Sequence, residues 1–322
     1  MTSLTQSPIQ TQRICSIGLT VTDCDRARDF YTQALGFQVV ADTRFDDPSY
    51  CELQGVDTTR IRVVALRLGD ESIRLMQYMD LSGQAIPTDS QSNDRWFQHF
   101  AVVVSDLDRA CAQVQRFPIQ PTSTAPQTIP AENPNAGGVR AFKFKDPDGH
   151  DLELIHFPPD KGQDKWHQPT DRLFLGIDHT AIAVADTEQS LRFYRDLLGL
   201  DVEADGVNWR ETQARLDGLE NARVRVTALR PAQGGLGLEL LNYHQPGPGR
   251  PIPPNWDSAD IAHVQTELVV ADLAQAIDQL RRRQVAFVSP PTQVSGMQVP
   301  GQQGCVIRDP SSHAILLMQA PR

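Results

Sequence analysis

Residues 14–37 read ICSIGLTVTDCDRARDFYTQALGF, and residues 177–200 read IDHTAIAVADTEQSLRFYRDLLGL. At an offset of 163, Asp23, Phe30, Tyr31, Leu35 and Gly36 fall on Asp186, Phe193, Tyr194, Leu198 and Gly199. Each stretch opens on an alternating apolar run, the mark of a strand, and reaches an Asp where a helix wants its N-cap. Apolar residues then recur at helical spacing (Ala27, Phe30, Tyr31, Ala34, Leu35), and a Gly stands where the helix must stop. Self-similarity over this distance means that one module has been repeated.

Two weaker copies complete the pattern. HFAVVVSDLDRACAQV starts at His99 and QTELVVADLAQAIDQL at Gln265, so the capping Asp recurs at Asp23, Asp106, Asp186 and Asp272, at spacings of 83, 80 and 86. Each module closes on a similar strand: IRLMQY (73–78), LELIHF (152–157), LELLNY (238–243) and ILLMQA (315–320). The second and fourth enter it through tight turns, DPDGH (146–150) and DPSSH (309–313). Alternating segments such as TRIRVVALRL (59–68) and ARVRVTALRP (222–231) fill the middle. Each module is therefore expected to be one strand, one helix and about three further strands. The chain divides into a disordered tail (1–12), a first half (13–158, modules 1 and 2), a linker (159–173) and a second half (174–322, modules 3 and 4). Pro-rich insertions at 117–138 and 287–303 are candidate lids over a cleft.

Composition narrows the function classes. The 322 residues carry a formal net charge of −10, with 40% hydrophobic and 22% charged residues. That is the balance of a globular protein, and it disfavours nucleic acid or an anionic membrane as partner, since both want a basic face. No apolar run approaches the roughly 18 residues needed to cross a bilayer. Met1 to Gln12 lacks the basic start and apolar core of a secretion signal. Five cysteines with no C-x-x-C give neither a disulfide framework nor a zinc knuckle. A cytoplasmic protein, monomer or homodimer, is the expectation.

The tandem β-α-β-β-β pattern, with FYTQALGF, FYRDLLGL and DPDGHDLEL (146–154) as its most specific pieces, resembles the vicinal oxygen chelate superfamily. Glyoxalase I, methylmalonyl-CoA epimerase, bleomycin resistance proteins and extradiol dioxygenases belong to it. The resemblance covers about Arg13 to Gln319. It implies an α+β fold of four βαβββ modules in two tandem halves, paired into half-open eight-stranded barrels. It also implies metal ligands at one position on the first strand and one on the last strand of each module. The first-strand position holds Ser16, His99, His179 and Gln265, and the last-strand position Arg74, Glu153, Glu239 and Leu316. Modules 2 and 3 thus supply His99, Glu153, His179 and Glu239, whereas modules 1 and 4 supply no metal site. Pairing module 2 with 3 and 1 with 4 gives one complete site and one empty cradle; pairing 1 with 2 and 3 with 4 leaves each half incomplete. The first arrangement is favoured. Imidazole and carboxylate together suit one divalent first-row ion, among Ni, Co, Zn, Mn and Fe.

Other candidates read more plainly. His150 and His313 belong to the turns, and His156 faces away from Glu153 by strand alternation. His263, on the face of Gln265, is a reserve ligand. Arg60, Arg62, Arg223 and Arg225 fit a solvated sheet face. Trp166 and His167 fall in the linker, with no chemistry assigned. Asn242, Tyr243 and Phe157 follow the ligand strands and are candidates to bind substrate.

The expected function is a metal-dependent isomerase or lyase of the glyoxalase I or epimerase type. Its metal would act as a Lewis acid on a small substrate with vicinal oxygens, and Glu153 or Glu239 would move the proton. A ferrous extradiol dioxygenase is the alternative, and a non-catalytic, resistance-type binding protein a second one.

Overall fold

The computed structural model describes residues 7–58, 60–294 and 303–319. Module 1 comprises β1 (Thr11–Thr20), α1 (Cys24–Leu35), β2 (Gln38–Phe45), α2 (Pro48–Leu53), β3 (Ile61–Leu68) and β4 (Glu71–Tyr78). Module 2 comprises β5 (Gln98–Val104), α3 (Leu107–Val114), β6 (Gln120–Pro121), β7 (Gln127–Thr128), β8 (Arg140–Lys145) and β9 (Asp151–His156). Module 3 comprises β10 (Phe174–Ala183), α4 (Thr187–Tyr194), β11 (Leu200–Asn208), α5 (Arg210–Asp217), β12 (Arg223–Pro231) and β13 (Gly237–Gln245). Module 4 comprises β14 (Val264–Val270), α6 (Leu273–Arg282), β15 (Ala286–Phe287), β16 (Thr292–Gln293), β17 (Gln303–Arg308) and β18 (Ala314–Gln319).

The four aspartates cap as their positions require. Asp23 accepts from the Asp25 and Arg26 amides, Asp106 from Arg109, Asp186 from Gln189 and Asp272 from Gln275. Gly36 ends α1 at φ +74°, a conformation that a side chain would strain. The tail expectation needs correction at its end. Residues 1–6 lie outside the described residues, but Ile9 is buried, its amide donates to the Leu197 carbonyl, and β1 begins at Thr11.

Two nine-stranded sheets result, and each takes one module from each half of the chain. One runs β15-β17-β18-β14-β1-β4-β3-β2, with β16 also paired to β17, and joins modules 4 and 1; the other runs β11-β12-β13-β10-β5-β9-β8-β6, with β7 also paired to β8, and joins modules 3 and 2. In modules 2 and 4 the second strand is broken by the Pro-rich insertions into two-residue pieces, which raises the strand count. The insertion expected at 287–303 falls partly outside the described residues, at 295–302.

The repeated motifs lock the two sheets together. The Tyr31 hydroxyl on α1 donates to Asp146 of the module 2 turn at 2.9 Å, and Tyr194 on α4 donates to Asp309 of the module 4 turn at 3.0 Å. His150 Nε2 lies 2.9 Å from the Ile261 carbonyl and His313 Nε2 2.8 Å from that of Ala183. These histidines do serve the turns. One large apolar cluster unites α1, α3, α4 and α6 with the outer faces of both sheets.

The inner faces differ. In the module 1/4 sheet, Tyr50 and Leu53 of α2 close over Met76, Leu316 and Met318. At its centre Arg74 pairs with Glu267 in a buried ion pair, with Nε to Oε1 at 3.0 Å, and Gln265 adds a donor to the same oxygen at 3.0 Å. Burial works against the Arg74 charge, yet Glu267 holds the guanidinium above its ordinary range. Gly18 makes the room, since a Cβ there would stand 2.8 Å from Gln265 Cγ and 2.9 Å from Glu267 Oε1. The cradle that lacks metal ligands is thus filled by a tethered cation. Replacing Arg74→Met strands the Glu267 charge and should cost about 3–5 kcal/mol in a urea titration, whereas Arg74→Met with Glu267→Leu should recover most of the loss. A single variant as stable as the wild type would show that the pair carries no such weight.

Candidate metal centre

The antiparallel join of β5 and β10 sets the geometry. Phe100 pairs with Thr180, so that Ala101 faces His179 and Ala181 faces His99. The two histidines are therefore diagonal neighbours on one face, with ring centroids 5.8 Å apart. The parallel pairing of β5 with β9 puts Glu153 beside Ala101, and that of β10 with β13 puts Glu239 beside Ala181. All four residues sequence reasoning chose from modules 2 and 3 are brought together.

His99, Glu153 and His179 are buried, with one ligand atom of each lying within 4.8 Å of the others. His99 Nε2 is 3.1 Å and His179 Nε2 3.7 Å from Glu153 Oε2, while Glu239 Oε2 lies 3.5 Å from His179 Nε2. The Glu239 side chain is 24% exposed against 8% for Glu153. His179 Nε2 and His99 Nδ1 are buried without a hydrogen-bond partner. Two imidazoles and two carboxylates around a buried, unsatisfied nitrogen are a donor set that fits a divalent ion.

A supporting layer orients His179. Its Nδ1 lies 3.1 Å from Asp178 Oδ2, and Asp178 Oδ1 accepts from Trp166 Nε1 at 2.9 Å and Gln163 Nε2 at 3.0 Å. A carboxylate behind a ligating imidazole fixes the ring and its tautomer. The linker therefore reaches the cluster, through Trp166 and Gln163, a contact that sequence reasoning missed. The register of β10 against β5 shifts between Ile177 and His179, an irregularity that turns Asp178 toward its neighbour.

Lys143 was missed as well. It lies on β8 opposite Glu153, is 4% exposed, and donates to Asp217 at 2.7 Å. Burial opposes its charge, but Asp217 and Glu153 keep the ammonium above its ordinary range. Burial likewise opposes the charge on Glu153, but Lys143 and the imidazoles hold it well below the carboxylate range. Burial, then Lys143, push His99 down to about 4. For His179 burial is outweighed by Glu239, Asp178 and Glu153, which raise it to about 10. Burial pushes Glu239 up.

These groups open on a cavity of about 180 Å³. Its walls are largely apolar, with Ile129, Val139, Ile155, Val226 and Leu241, and α5 contributes Gln213 and Leu216. The insertion expected as a lid contributes Ile129, Asn135 and Ala136, and the linker Lys161 and Gly162. Tyr243 and Phe157 line the cavity. Asn242 does not join them. Strand alternation turns it outward, where its amide donates to the Val184 and Ala185 carbonyls, both at 3.1 Å. His263 lies 3.2 Å from Gln265, in the filled cradle, and Arg60, Arg62 and Arg225 are spent on ion pairs with Asp80, Asp42 and Asp205.

With its pKa raised, His179 still carries a proton at neutral pH, and an ion must displace it from Nε2. Metal affinity should therefore climb as pH rises from 6 toward 9, and uptake at pH 7 should release about one proton per ion. Titration calorimetry in buffers of different ionisation enthalpy measures that release; uptake with no proton change would contradict a protonated His179.

The sequence pattern of the Glyoxalase/Bleomycin resistance protein/Dioxygenase superfamily matches residues 13–154 and 176–317. Among solved structures, glyoxalase I from Zea mays superposes with a TM-score of 0.60 at 17% identity, over 95% of this chain and 92% of that one. A putative dioxygenase from Bacillus subtilis subsp. subtilis str. 168 gives 0.59 at 14%, over 98% and 87%. No curated protein sequence matches. At such identities the likenesses speak for the fold, while the matched pattern spans both halves. The chain belongs to the Glyoxalase/Bleomycin resistance protein/Dioxygenase superfamily.

Proposed function

We propose that the protein is a divalent-metal-dependent enzyme of the glyoxalase I or epimerase type, acting by proton transfer on a small substrate with vicinal oxygens. The observation that carries this reading is the cluster of His99, Glu153, His179 and Glu239 at the head of a largely apolar cavity. Bound there, a divalent ion supplies Lewis-acid polarisation of substrate oxygen.

The two carboxylates are not equivalent. Glu153 touches both imidazoles and is held ionised, which suits a permanent ligand. Glu239 is more exposed, and burial pushes its carboxyl above the ordinary carboxylate range, which favours the proton-accepting role. In this reading Glu239 moves the proton on the carbon beside the carbonyl. His99 and His179 hold the oxygens' binding position, the second through its Asp178 brace. The apolar walls exclude water from the exchange.

Proton transfer is testable without knowing the natural substrate. Hydroxyacetone in D₂O, followed by proton NMR, should exchange its carbon-bound hydrogens in metal-replete protein and not after chelation. Glu239→Gln should slow the exchange by about 10²–10⁴-fold with metal content retained, whereas Glu153→Gln should lose metal as well. If both variants exchange at the wild-type rate, the mechanism fails.

A ferrous dioxygenase has one specific observation in its favour. His99, Glu153 and His179 form the compact group by themselves, a two-His, one-carboxylate set, with Glu239 to the side. Oxygen uptake with catechol, dependent on ferrous iron, would reverse the order of the two readings.

A further inference from the structure

The repeat provides an internal control on every position of the site. The residue that pairs across the sheet with the last-strand ligand position is Ala65 opposite Arg74, Ala228 opposite Glu239 and Val306 opposite Leu316. In module 2 it is Lys143, opposite Glu153. Three modules build the same sheet with a small apolar residue there, so the fold does not call for a lysine. Its immediate strand neighbours, Phe142 and Phe144, face the common apolar core, and the alternation drives the lysine inward.

Placing a cation beside a site for a dication is electrostatically unfavourable. Glu153 and Glu239 already balance a divalent ion, so the ligands do not need the extra charge. Asp217 answers for one N–H of the ammonium, and it is committed elsewhere too, accepting from Tyr243 Oη at 3.1 Å and Gln213 Nε2 at 2.7 Å. Among the described residues no other hydrogen-bond acceptor meets Lys143 Nζ, although the side chain is 5% exposed and lines the cavity. The Phe97 ring, its centroid 5.7 Å from Nζ, is the one further partner of the ammonium among the described residues. Two N–H groups have no acceptor and are left for whatever occupies the cavity, and a buried charged donor without an acceptor is costly.

We propose that Lys143, braced by Asp217, is a specificity-determining residue that receives a carboxylate of the substrate. The proposal rests on the reading of this cavity as the substrate site of a metal enzyme, and it narrows the substrate to a small carboxylic acid bearing a vicinal oxygen and an apolar remainder. Two free N–H groups match two carboxylate oxygens. No arginine lines the cavity among the described residues, so the bidentate guanidinium grip that holds many phosphates is missing, and the other lining lysine, Lys161, donates to the Pro134 carbonyl. The size agrees: an apolar cavity of about 150 Å³ takes a benzene ring, and this one measures about 180 Å³.

A matched pair of probes tests it, 2-hydroxy-3-methylbutyrate and its neutral counterpart 3-methylbutane-1,2-diol, by titration calorimetry on metal-loaded and on chelated protein, with metal content measured in each. Wild type should favour the acid. Lys143→Met should weaken the acid by about tenfold to a hundredfold while shifting the diol less than about twofold, and Lys143→Arg should retain part of the preference. Because Lys143→Met strands Asp217, the double variant Lys143→Met with Asp217→Asn is measured alongside and should show the same selective loss. A merely structural lysine would weaken both probes alike or lower metal content, and either result overturns the proposal, as does acid binding unchanged in both variants. Wild type that takes up no metal, yet shows a preference for the acid that depends on Lys143, would sink the metal-enzyme reading and leave this inference standing.

Discussion

The cross-strand join of β5 with β10 is the constraint on which the rest depends. Its register is symmetric about the Phe100–Thr180 pair, so one residue from each module arrives at an equivalent place on the same face. Side chains alternate along a strand, and a slip of one residue in either strand would turn its histidine into the apolar core and leave the other alone on the inner face. The register is fixed from outside, where Phe100, Val102 and Ile182 must reach the cluster shared with the helices. Gln98 adds a polar pin, donating to Thr180 at 2.9 Å and to Thr266 of the other sheet at 3.1 Å.

The same join recurs between β1 and β14, centred on Ile17 and Thr266, and it gathers a different chemistry. There Ser16 and Gln265 stand where the histidines stand, and Arg74 where a glutamate does. Glu267 occupies a place that is Gly18, Ala101 or Ala181 in the other modules. Both cradles therefore meet the same electrostatic demand, an inward carboxylate that a positive charge must answer. One meets it with a guanidinium that reaches from β4 to Glu267 on β14, the other with a donor set open to an ion.

The architecture was legible because it is written in periods. The capping aspartates, the FY pairs and the DP turns repeat, and the tyrosines and turn aspartates prove to bond to each other across the sheets. His99, Glu153, His179 and Glu239 were picked out by the two positions per module that the family resemblance implies, read across the repeat. What stayed hidden breaks the period. Lys143 sits in AFKFKD, whose alternation reads as an amphipathic strand with its lysines in water, and nothing local says that the lysine face is the enclosed one. Glu267, in VQTELVV, was visible as a lone charge in an apolar strand, but its partner lies 193 residues away. Asp178 adjoins His179, and simple alternation would send the two to opposite faces; the irregularity in β10 reverses that. Asn242 failed in the opposite sense, since closeness in sequence to Glu239 did not place it on the same face.

Each sheet draws one module from either half of a single polypeptide, and this has an implication for how the molecule can change. Were the halves separate, identical subunits meeting about a twofold axis, any substitution in one cradle would appear in its twin. Covalent fusion removes that bond of identity. One cradle is then at liberty to harden into pure scaffold while its sibling keeps, and even elaborates on one side only, the apparatus for handling a small molecule. The lysine present in a single module and the tethered guanidinium of the other sheet are two outcomes that a symmetric pair could not hold at once.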